Sequence, residues 1–400
     1  MVDSIFPERA DTIAGIDKNK EYFFDNCRVA AIMHDCGHGP FSHLSEQLYS
    51  SQLNEIKAAN SVLYGANAHE IISYFITTSA PMKKFNDEVI KKFYGIDIDL
   101  DFVGEMIVGY IDRSAPKRAY GFAVEIINGA FDADKLDYIL RDAHSTGIRM
   151  TLELPRLMYT LNVIPDTEGV NRLAIDISGV SALEGIVFNK MMLTSAIYHH
   201  QKVRAAGCML KGIISDSGKF NSVLDYLEYT DDMIFCMLSS NSFVAKRIDM
   251  LKNRMLPKRA FCFSPRTLED ISKIEKIMGE MERKEFRENV EALISSHIKE
   301  KYNKDVSVNE IWIDSPSNPK FKEAAHCLIK SEGSENNYIT LRDVFPTDDW
   351  VRAFSQNKWR GFVYSMPENC KEVSEASKYV MERVFDTQFN LFATKLCKVD

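Results

Sequence analysis

The sequence predicts a mainly α-helical protein with a smaller α+β unit at its C-terminal end. Only 19 glycines and 12 prolines interrupt the 400 residues, and long stretches carry apolar residues at helical spacing. Text that is typical of β-strands is confined to three short pieces, residues 172–177, 310–313 and 362–364.

These patterns divide the chain into two expected parts. We expect residues 1–260 to form a helical core, since the first 255 residues read as mostly helical. Residues 261–400 form the C-terminal α+β subdomain, with one helix, short strands and a last long helix near residues 371–396.

Composition and charge exclude several function classes. Lys and Arg number 49 against 57 Asp and Glu, so the formal net charge is −8, which disfavours non-specific binding to nucleic acid or membranes. No run of 18 apolar residues indicates a membrane span, and the first residues do not resemble a secretory signal. The eight cysteines are scattered without a CxxC pair, which favours a cytoplasmic protein and a metal site built from His and carboxylates.

The densest group of chemically active residues is the string HDCGHGPFSH, which begins at His34. The apolar run VAAIM before it predicts a buried helix that delivers His34 and Asp35 to its inner end, where they offer nitrogen and oxygen to one cation. We expect His38 one turn further on the same face. The glycines and proline that follow break the helix, so that His43 can fold back toward the site.

A second segment, ADKLDYILRD, reads as an amphipathic helix with a polar row. Asp134, Tyr138 and Asp142 recur at i, i+4 and i+8, and therefore share one face, with Lys135 beside them. A carboxylate suits a metal, the Lys suits phosphate, and the remaining polar groups suit a sugar.

One stretch departs from the acidic average. Residues 245–266 contain seven basic residues and a single acid, Asp249. Two interpretations stay open: a solvated helix face, or a contact with an anion or nucleotide.

Taken together, these strings resemble the HD-domain superfamily of metal-dependent phosphohydrolases. HDCGHGPFSH is similar to HDxGHxPFSH, and ADKLDYILRDAHSTGI to DKxDYxxRDxxxxG, of the deoxynucleoside triphosphate (dNTP) triphosphohydrolase branch. That branch includes the sterile-alpha-motif-linked HD enzyme and dGTPase-like proteins. A third string, which begins at Ala182, resembles the substrate-helix pattern E-x5-R-x7-Y-x-H. The likeness covers residues 20–260 well and the C-terminal part loosely.

The resemblance implies an HD-domain helical bundle and roles for the matching positions. A divalent metal, one of Mn, Mg, Fe, Ni or Zn, would be bound by His34, Asp35 and Asp134. Catalytic roles in phosphate polarisation or proton transfer would fall to His38, His43 and His69.

The resemblance also implies how a nucleotide substrate is bound. Lys135 would meet phosphates, and Lys190 would do so where the family usually has Arg, which replaces a bidentate clamp by a point charge. Tyr138 and Asp142 would hold the sugar, while Tyr198 would pack on it and help to exclude ribose.

One departure concerns the metal ligands. The family usually takes a further His from a helix upstream of the HD pair, and no His precedes His34 in this sequence. Two expectations follow: the chain begins late and the missing ligand precedes Met1, or this branch binds its metal with three protein ligands, or poorly.

The activity that the resemblance implies is hydrolysis of a dNTP to deoxynucleoside and triphosphate. Two alternatives stay open: another HD nucleotide phosphatase or phosphodiesterase, and a catalytically weak nucleotide-binding regulatory protein. The resemblance further implies a homo-oligomer that can bind a regulatory nucleotide. We expect no membrane partner and no nucleic-acid partner.

Overall fold

The computed structural model describes residues 1–6, 13, 15–236, 241–317, 322–331, 333 and 337–397. Its α-helices, in chain order, are α1 Val2–Ile5, α2 Lys20–Met33, α3 His43–Tyr49, α4 Asn54–Ala59, α5 Ala68–Thr77, α6 Ala80–Phe85, α7 Leu100–Ile107, α8 Gly121–Ile127, α9 Ala133–Thr146, α10 Leu154–Thr160, α11 Val180–Leu193, α12 Gln201–Asp216, α13 Asp231–Phe235, α14 Ser242–Lys252, α15 Ile274–Glu282, α16 Lys284–Tyr302, α17 Leu341–Val344, α18 Thr347–Lys358, α19 Cys370–Phe385 and α20 Phe392–Lys395.

The strands are short and form two small sheets. They are β1 Leu161–Pro165, β2 Asn171–Asp176, β3 Lys258–Phe263, β4 Ile311–Asp314, β5 Leu328–Lys330, β6 Tyr338–Thr340 and β7 Gly361–Ser365. One sheet has the order β1-β2-β5-β6, in which only the β2–β5 pair is parallel. The other has the order β3-β7-β4 and is antiparallel throughout. The predicted mainly α fold with a smaller α+β part is confirmed.

The chain forms two compact units from interleaved segments. The first contains residues 1–193, 221–231 and 321–348, and the second contains the remainder. This division differs from the predicted boundary at residue 260, because β3 pairs with β7 and helix α12 buries Met209 in the core of the second unit. The boundary at residue 260 stays a prediction about domains.

The first unit packs around an aromatic cluster near the start of α2. Phe23 is fully buried and contacts Phe6, Tyr120 and Phe122 at ring-centroid distances of 5.2–5.5 Å. The rings of Phe6 and Phe122 also contact each other, at 6.0 Å. The side chain of Asn19 caps α2 by accepting a hydrogen bond from the Tyr22 amide. This packing fixes α2, and therefore the turn that follows it.

The second unit has its own core. Strand β7 is buried along its whole length, and α16 and α19 pack together beside the β3-β7-β4 sheet, with Ile294 and Met381 fully buried. The predicted last helix over residues 371–396 is wrong as one element, because α19 ends at Phe385, its C-terminal cap Asp386 is left-handed (φ 48°), and α20 follows separately.

One segment of the described residues, Ile177–Tyr198, is long and apolar enough to cross a membrane by length and composition alone. Its central part, α11, buries Leu183, Ile186 and Leu193 in the first unit, where it packs against α9. A core helix passes the same test, so we interpret this segment as a core helix of the fold.

Candidate metal and catalytic site

The turn after α2 carries most of the candidate site. Helix α2 ends at Met33, with His34 as its C-terminal cap. The prediction that His38 continues the same helical face is therefore wrong, because residues 34–37 form turns. The predicted burial of the VAAIM run is also wrong for Ile32, which is 76% exposed; α2 buries instead the face that contains Phe23, Cys27 and Ala30.

Helix α5 holds this turn in place. The hydroxyl of Ser73 donates to the His34 carbonyl at 2.7 Å and accepts from the Gly37 amide at 2.8 Å. A Cβ on Gly37 would lie 2.3 Å from the carbonyl oxygen of His69 and 2.6 Å from the Ser73 nitrogen. Only glycine therefore fits at position 37, which explains the glycine of the motif in physical terms.

The second half of the turn has a strained backbone. Phe41 and Ser42 adopt φ values of 58° and 54°, a region that costs non-glycine residues on the order of 1–3 kcal/mol. The Phe41 amide donates to Asp231 Oδ1 at 2.8 Å, which helps to hold this conformation. Helix α3 then begins at His43, and so the turn returns His43 toward the site as predicted.

His34, Asp35 and Asp134 come together and are called the metal group below. Their ligand atoms all lie within 4.8 Å of one another. His34 Nε2 is 3.4 Å from Asp35 Oδ2 and 3.8 Å from Asp134 Oδ1. Asp134 lies in the first turn of α9, which the side chain of Asp132 caps. Two elements that are 100 residues apart in sequence thus build one cluster.

The metal group has the features of a cation site. His34 Nδ1 donates to the Ala31 carbonyl at 2.8 Å, so a neutral His34 carries its lone pair on Nε2. That Nε2 atom is buried and has no hydrogen-bond partner among the described residues. It faces two carboxylates, and its interaction with Asp134 raises the pKa of His34 to about 9. Because three electron-rich atoms converge, the group attracts a proton or, in its place, a divalent metal ion.

A second cluster, called the histidine group below, consists of His38, His43, Glu46 and His69. His43 Nδ1 donates to Glu46 Oε2 at 2.9 Å, and His69 Nδ1 donates to Glu46 Oε1 at 3.0 Å. The rings of His38 and His69 stack at 3.9 Å, while the ring of His43 stands edge-on to both. One carboxylate therefore orients two imidazoles.

Electrostatics within the histidine group favour an ionised carboxylate and a protonated imidazole. Burial opposes ionisation of Glu46, but the hydrogen bonds from His43 and His69 outweigh it and hold the pKa of Glu46 far below its ordinary value. The hydrogen bond between His43 and Glu46 also raises the pKa of His43. The His43 side chain is 72% exposed and that of His69 only 8%, so His43 is the member that an incoming substrate reaches first.

Asp35 links the two groups. Its Oδ2 atom faces His34, and its Oδ1 atom lies 3.5 Å from His38 Nε2. The carboxylate therefore has one oxygen toward each cluster, which sets metal binding and proton transfer side by side.

Helix α9 presents the remaining predicted residues of its face. Lys135 Nζ donates to the Gly129 carbonyl at 2.8 Å and forms an ion pair with the buried Asp132. Tyr138 and Asp142 are half-buried and lie one and two turns beyond Asp134. The predicted helix over this segment is confirmed.

Two predicted substrate residues come from the third string. Lys190 lies in the last turn of α11 and is half-buried. Tyr198 ends a π-helical segment, Thr194–Tyr198, that belongs to the second unit. Their roles toward a substrate stay predictions.

Sequence reasoning missed Glu46. It joins the histidine group because α3 places it one turn after His43. The i, i+3 spacing of a His and a Glu at the start of a helix was the available signal. Glu70, next to His69, serves another purpose: its side chain completes a capping box with Asn67 at the start of α5.

The basic stretch 245–266 is largely engaged in internal contacts. Arg247 is buried, with Nη1 2.6 Å from Asp216 Oδ2, and Lys246 Nζ is 2.7 Å from Glu310 Oε1. Arg266 bonds to the side chain of Asn357. These contacts favour a structural role for the three residues. Lys252 and Arg254 are exposed, which agrees with the interpretation as a solvated face.

A His and carboxylate metal group beside an imidazole that a carboxylate orients is the arrangement of a metal-dependent phosphohydrolase. The profile of a family described as the HD associated region matches residues 154–388, more than half of the chain. The chain therefore belongs to the HD superfamily of divalent-metal-dependent phosphohydrolases, near the dNTP triphosphohydrolase branch.

Several relatives are similar to the chain at modest identity. An uncharacterised protein of Methanocaldococcus jannaschii is 26% identical over 87% of this chain and 65% of its own length. A deoxynucleoside triphosphate triphosphohydrolase SAMHD1 homolog of Dictyostelium discoideum is 24% identical over 58% of this chain and 40% of its own length. SAMHD1 of Homo sapiens is 24% identical over 51% and 32%. The chain thus spans less than two thirds of the length of these relatives.

Proposed function

We propose that this protein hydrolyses deoxynucleoside triphosphates to deoxynucleoside and triphosphate. The observation that carries the proposal is the side-by-side placement of the metal group and the histidine group, joined through the two oxygens of Asp35. The names of the SAMHD1 relatives support the choice of substrate.

His34, Asp35 and Asp134 would hold the divalent ion through one imidazole nitrogen and two carboxylates. When bound, such an ion supplies Lewis-acid activation of a phosphate and of a water molecule. The Ala31 carbonyl fixes the ring of His34 from its other side, so that Nε2 stays directed at the ion.

His43 is the best candidate to protonate the leaving 5′-oxygen. Its Nδ1 is held by Glu46, which leaves Nε2 for the substrate, and its exposure allows contact. Because Glu46 raises the pKa of His43, the imidazolium persists at a higher pH than in an isolated histidine. His69, which is bound to the same carboxylate, orients Glu46 from the buried side.

The substrate itself would extend along α9. Lys135 neutralises phosphate charge next to Asp134, and Tyr138 and Asp142 continue along the same face toward the sugar. Lys190 would add a second cation for the triphosphate. If the nucleotide lay along α9 in the reverse direction, its phosphates would be far from Lys135.

The test is an assay of purified protein with Mn²⁺ or Mg²⁺ and each of the four dNTPs, with all products resolved. We expect deoxynucleoside and intact triphosphate. Pyrophosphate together with a deoxynucleoside monophosphate would overturn the proposal, and so would nucleotide binding without turnover in a metal-loaded protein. The second outcome would instead indicate a regulatory nucleotide-binding protein.

A matched pair of variants on α9 tests the site. Asp134→Asn removes a ligand of the metal group, whereas Asp137→Asn changes an exposed acid one turn away that pairs with Arg141. We expect loss of turnover only for Asp134→Asn. Equal activities of the two variants would contradict the proposed site.

A cytoplasmic location, homo-oligomeric assembly and a regulatory nucleotide stay predictions. They would be tested by fractionation of the host cell, by light scattering and by equilibrium binding of nucleotides.

A further inference from the structure

We propose that the histidine group is a second metal site, which binds a zinc-class transition metal ion and thereby inhibits the enzyme. His38, His43, Glu46 and His69 each offer one ligand atom, and all four atoms lie within 4.8 Å of one another. The metal group is a separate cluster with its own three ligands.

Two of the distances within the histidine group are close to those of a filled site. Ligands that lie about 2.0–2.1 Å from a tetrahedral ion are about 3.3–3.4 Å apart. In the metal-free arrangement Glu46 is 2.9 Å from His43 Nδ1 and 3.0 Å from His69 Nδ1. A few tenths of an ångström of outward movement would therefore turn two hydrogen bonds into two coordination bonds.

A polar atom without a partner supports the assignment. His38 Nδ1 is buried and has no hydrogen-bond partner among the described residues. A buried nitrogen of this kind carries a desolvation cost that coordination of a cation would offset. The side chains of His38, Glu46 and His69 are largely shielded from solvent, whereas His43 gives an entry path.

The donor set selects the metal. Three imidazole nitrogens and one carboxylate oxygen suit zinc and neighbouring transition metals, whereas magnesium and calcium prefer oxygen ligands. The metal group, with one imidazole and two carboxylates, is richer in oxygen. The two clusters therefore differ in selectivity, and magnesium would not compete for the histidine group.

Binding exchanges protons for the ion. A neutral imidazole that coordinates through Nδ1 keeps its one proton on Nε2, and an imidazolium first releases one proton to solvent. Bound zinc would leave one proton on Nε2 of His43, but release of that proton would produce a zinc-bound imidazolate, so His43 would be a much weaker acid than the imidazolium that the proposed reaction uses. The inhibitory part of this inference rests on the proposed function, whereas the metal binding does not.

The first experiment counts metal ions. The protein is stripped with a chelator, dialysed against excess Zn²⁺ alone and analysed by mass spectrometry of the metal. We expect two equivalents in the native chain and one in Asp134→Asn. His43→Ala should retain one, and the double variant none.

His43→Ala is the main variant because its side chain is exposed and its removal leaves little to collapse. Glu46→Gln, which keeps the shape of the side chain, serves as the second, and His144→Ala on α9, exposed and outside both groups, is the control. Co²⁺ replaces Zn²⁺ in a parallel titration, where the visible spectrum of four-coordinate cobalt should vanish in His43→Ala. One equivalent in both the native chain and His43→Ala would overturn the proposal.

The second experiment measures inhibition. Activity with saturating Mg²⁺ should fall at least about tenfold when one equivalent of Zn²⁺ is added and should return on chelation. If the protein hydrolyses no dNTP, the metal counts still decide the second site. Two zinc equivalents with unchanged turnover would remove the inhibitory role alone.

Discussion

The metal group and the histidine group both draw residues from the turn after α2, but they have opposite balances of donors. The metal group has one imidazole and two carboxylates, and its buried His34 Nε2 has no hydrogen-bond partner among the described residues. The histidine group has three imidazoles around one carboxylate, and Glu46 is fully engaged by two of them. The first cluster thus has an excess of carboxylate, whereas the second has an excess of imidazole.

This difference explains how two neighbouring clusters would serve two tasks, metal binding and proton donation. A cluster with excess carboxylate attracts a divalent ion, whereas in the second cluster the hydrogen bond to Glu46 raises the pKa of His43, which favours a role as proton donor. Asp35 belongs to the first group and contacts His38 of the second. Variants that affect one group alone therefore test whether the division is real.

The largest effect is expected from a change in the metal group. Asp134→Asn should lower metal affinity and turnover by more than about 100-fold, because even outer partners of metal ligands contribute about 10–100-fold. Metal content and the rate of dNTP hydrolysis are the measurements, with Asp137→Asn as the control. If the variant keeps its metal but loses activity, Asp134 is not one of the metal ligands.

A change in the histidine group should alter the pH profile instead. In Glu46→Gln the pKa of His43 should fall, since the carboxylate that raises it is lost. The imidazolium acid would then disappear at a lower pH, so the basic limb of kcat/KM shifts toward acid. We expect a loss of about 100-fold at neutral pH. An unshifted limb would show that His43 is not the acid.

The turn that connects both groups should not tolerate a larger side chain at position 37. In Gly37→Ala the new Cβ meets backbone atoms of His69 and Ser73, so we expect a stability loss of about 1–3 kcal/mol and reduced activity. Gly65→Ala is the control, because a Cβ there meets nothing within 4 Å. Denaturant unfolding compares the two. Equal stabilities would mean that the turn can shift without cost.

The smallest effect on metal binding should come from Ser73, the residue of α5 that holds the turn. Ser73→Ala leaves the Gly37 amide without its partner, which costs about 1–3 kcal/mol for a buried group, and it frees the His34 carbonyl. Metal affinity should fall only a few-fold, since no ligand is removed. Ser61→Ala, an exposed serine, is the comparison. A loss of affinity as large as that of Asp134→Asn would make Ser73 part of the metal group.

Local sequence patterns predicted the elements that carry the site. Helix α9 follows from the spacing of its apolar residues, which is a local property. The same reasoning failed where tertiary contacts decide. The single helix expected at the C-terminal end is interrupted near residue 389, where an isolated bridge pairs Leu268 with Phe389.

The sequence by itself determined the mainly α fold, the helix that carries Asp134 and the membership of His34, Asp35 and His43 in one site, because motif spacing and helical periodicity are written in neighbouring residues. Only the tertiary structure decided that Glu46, one turn after His43, also binds His69 and that α5 holds the turn through Ser73. Those contacts join residues that are 23 and 39 positions apart, and their geometry depends on how whole helices pack.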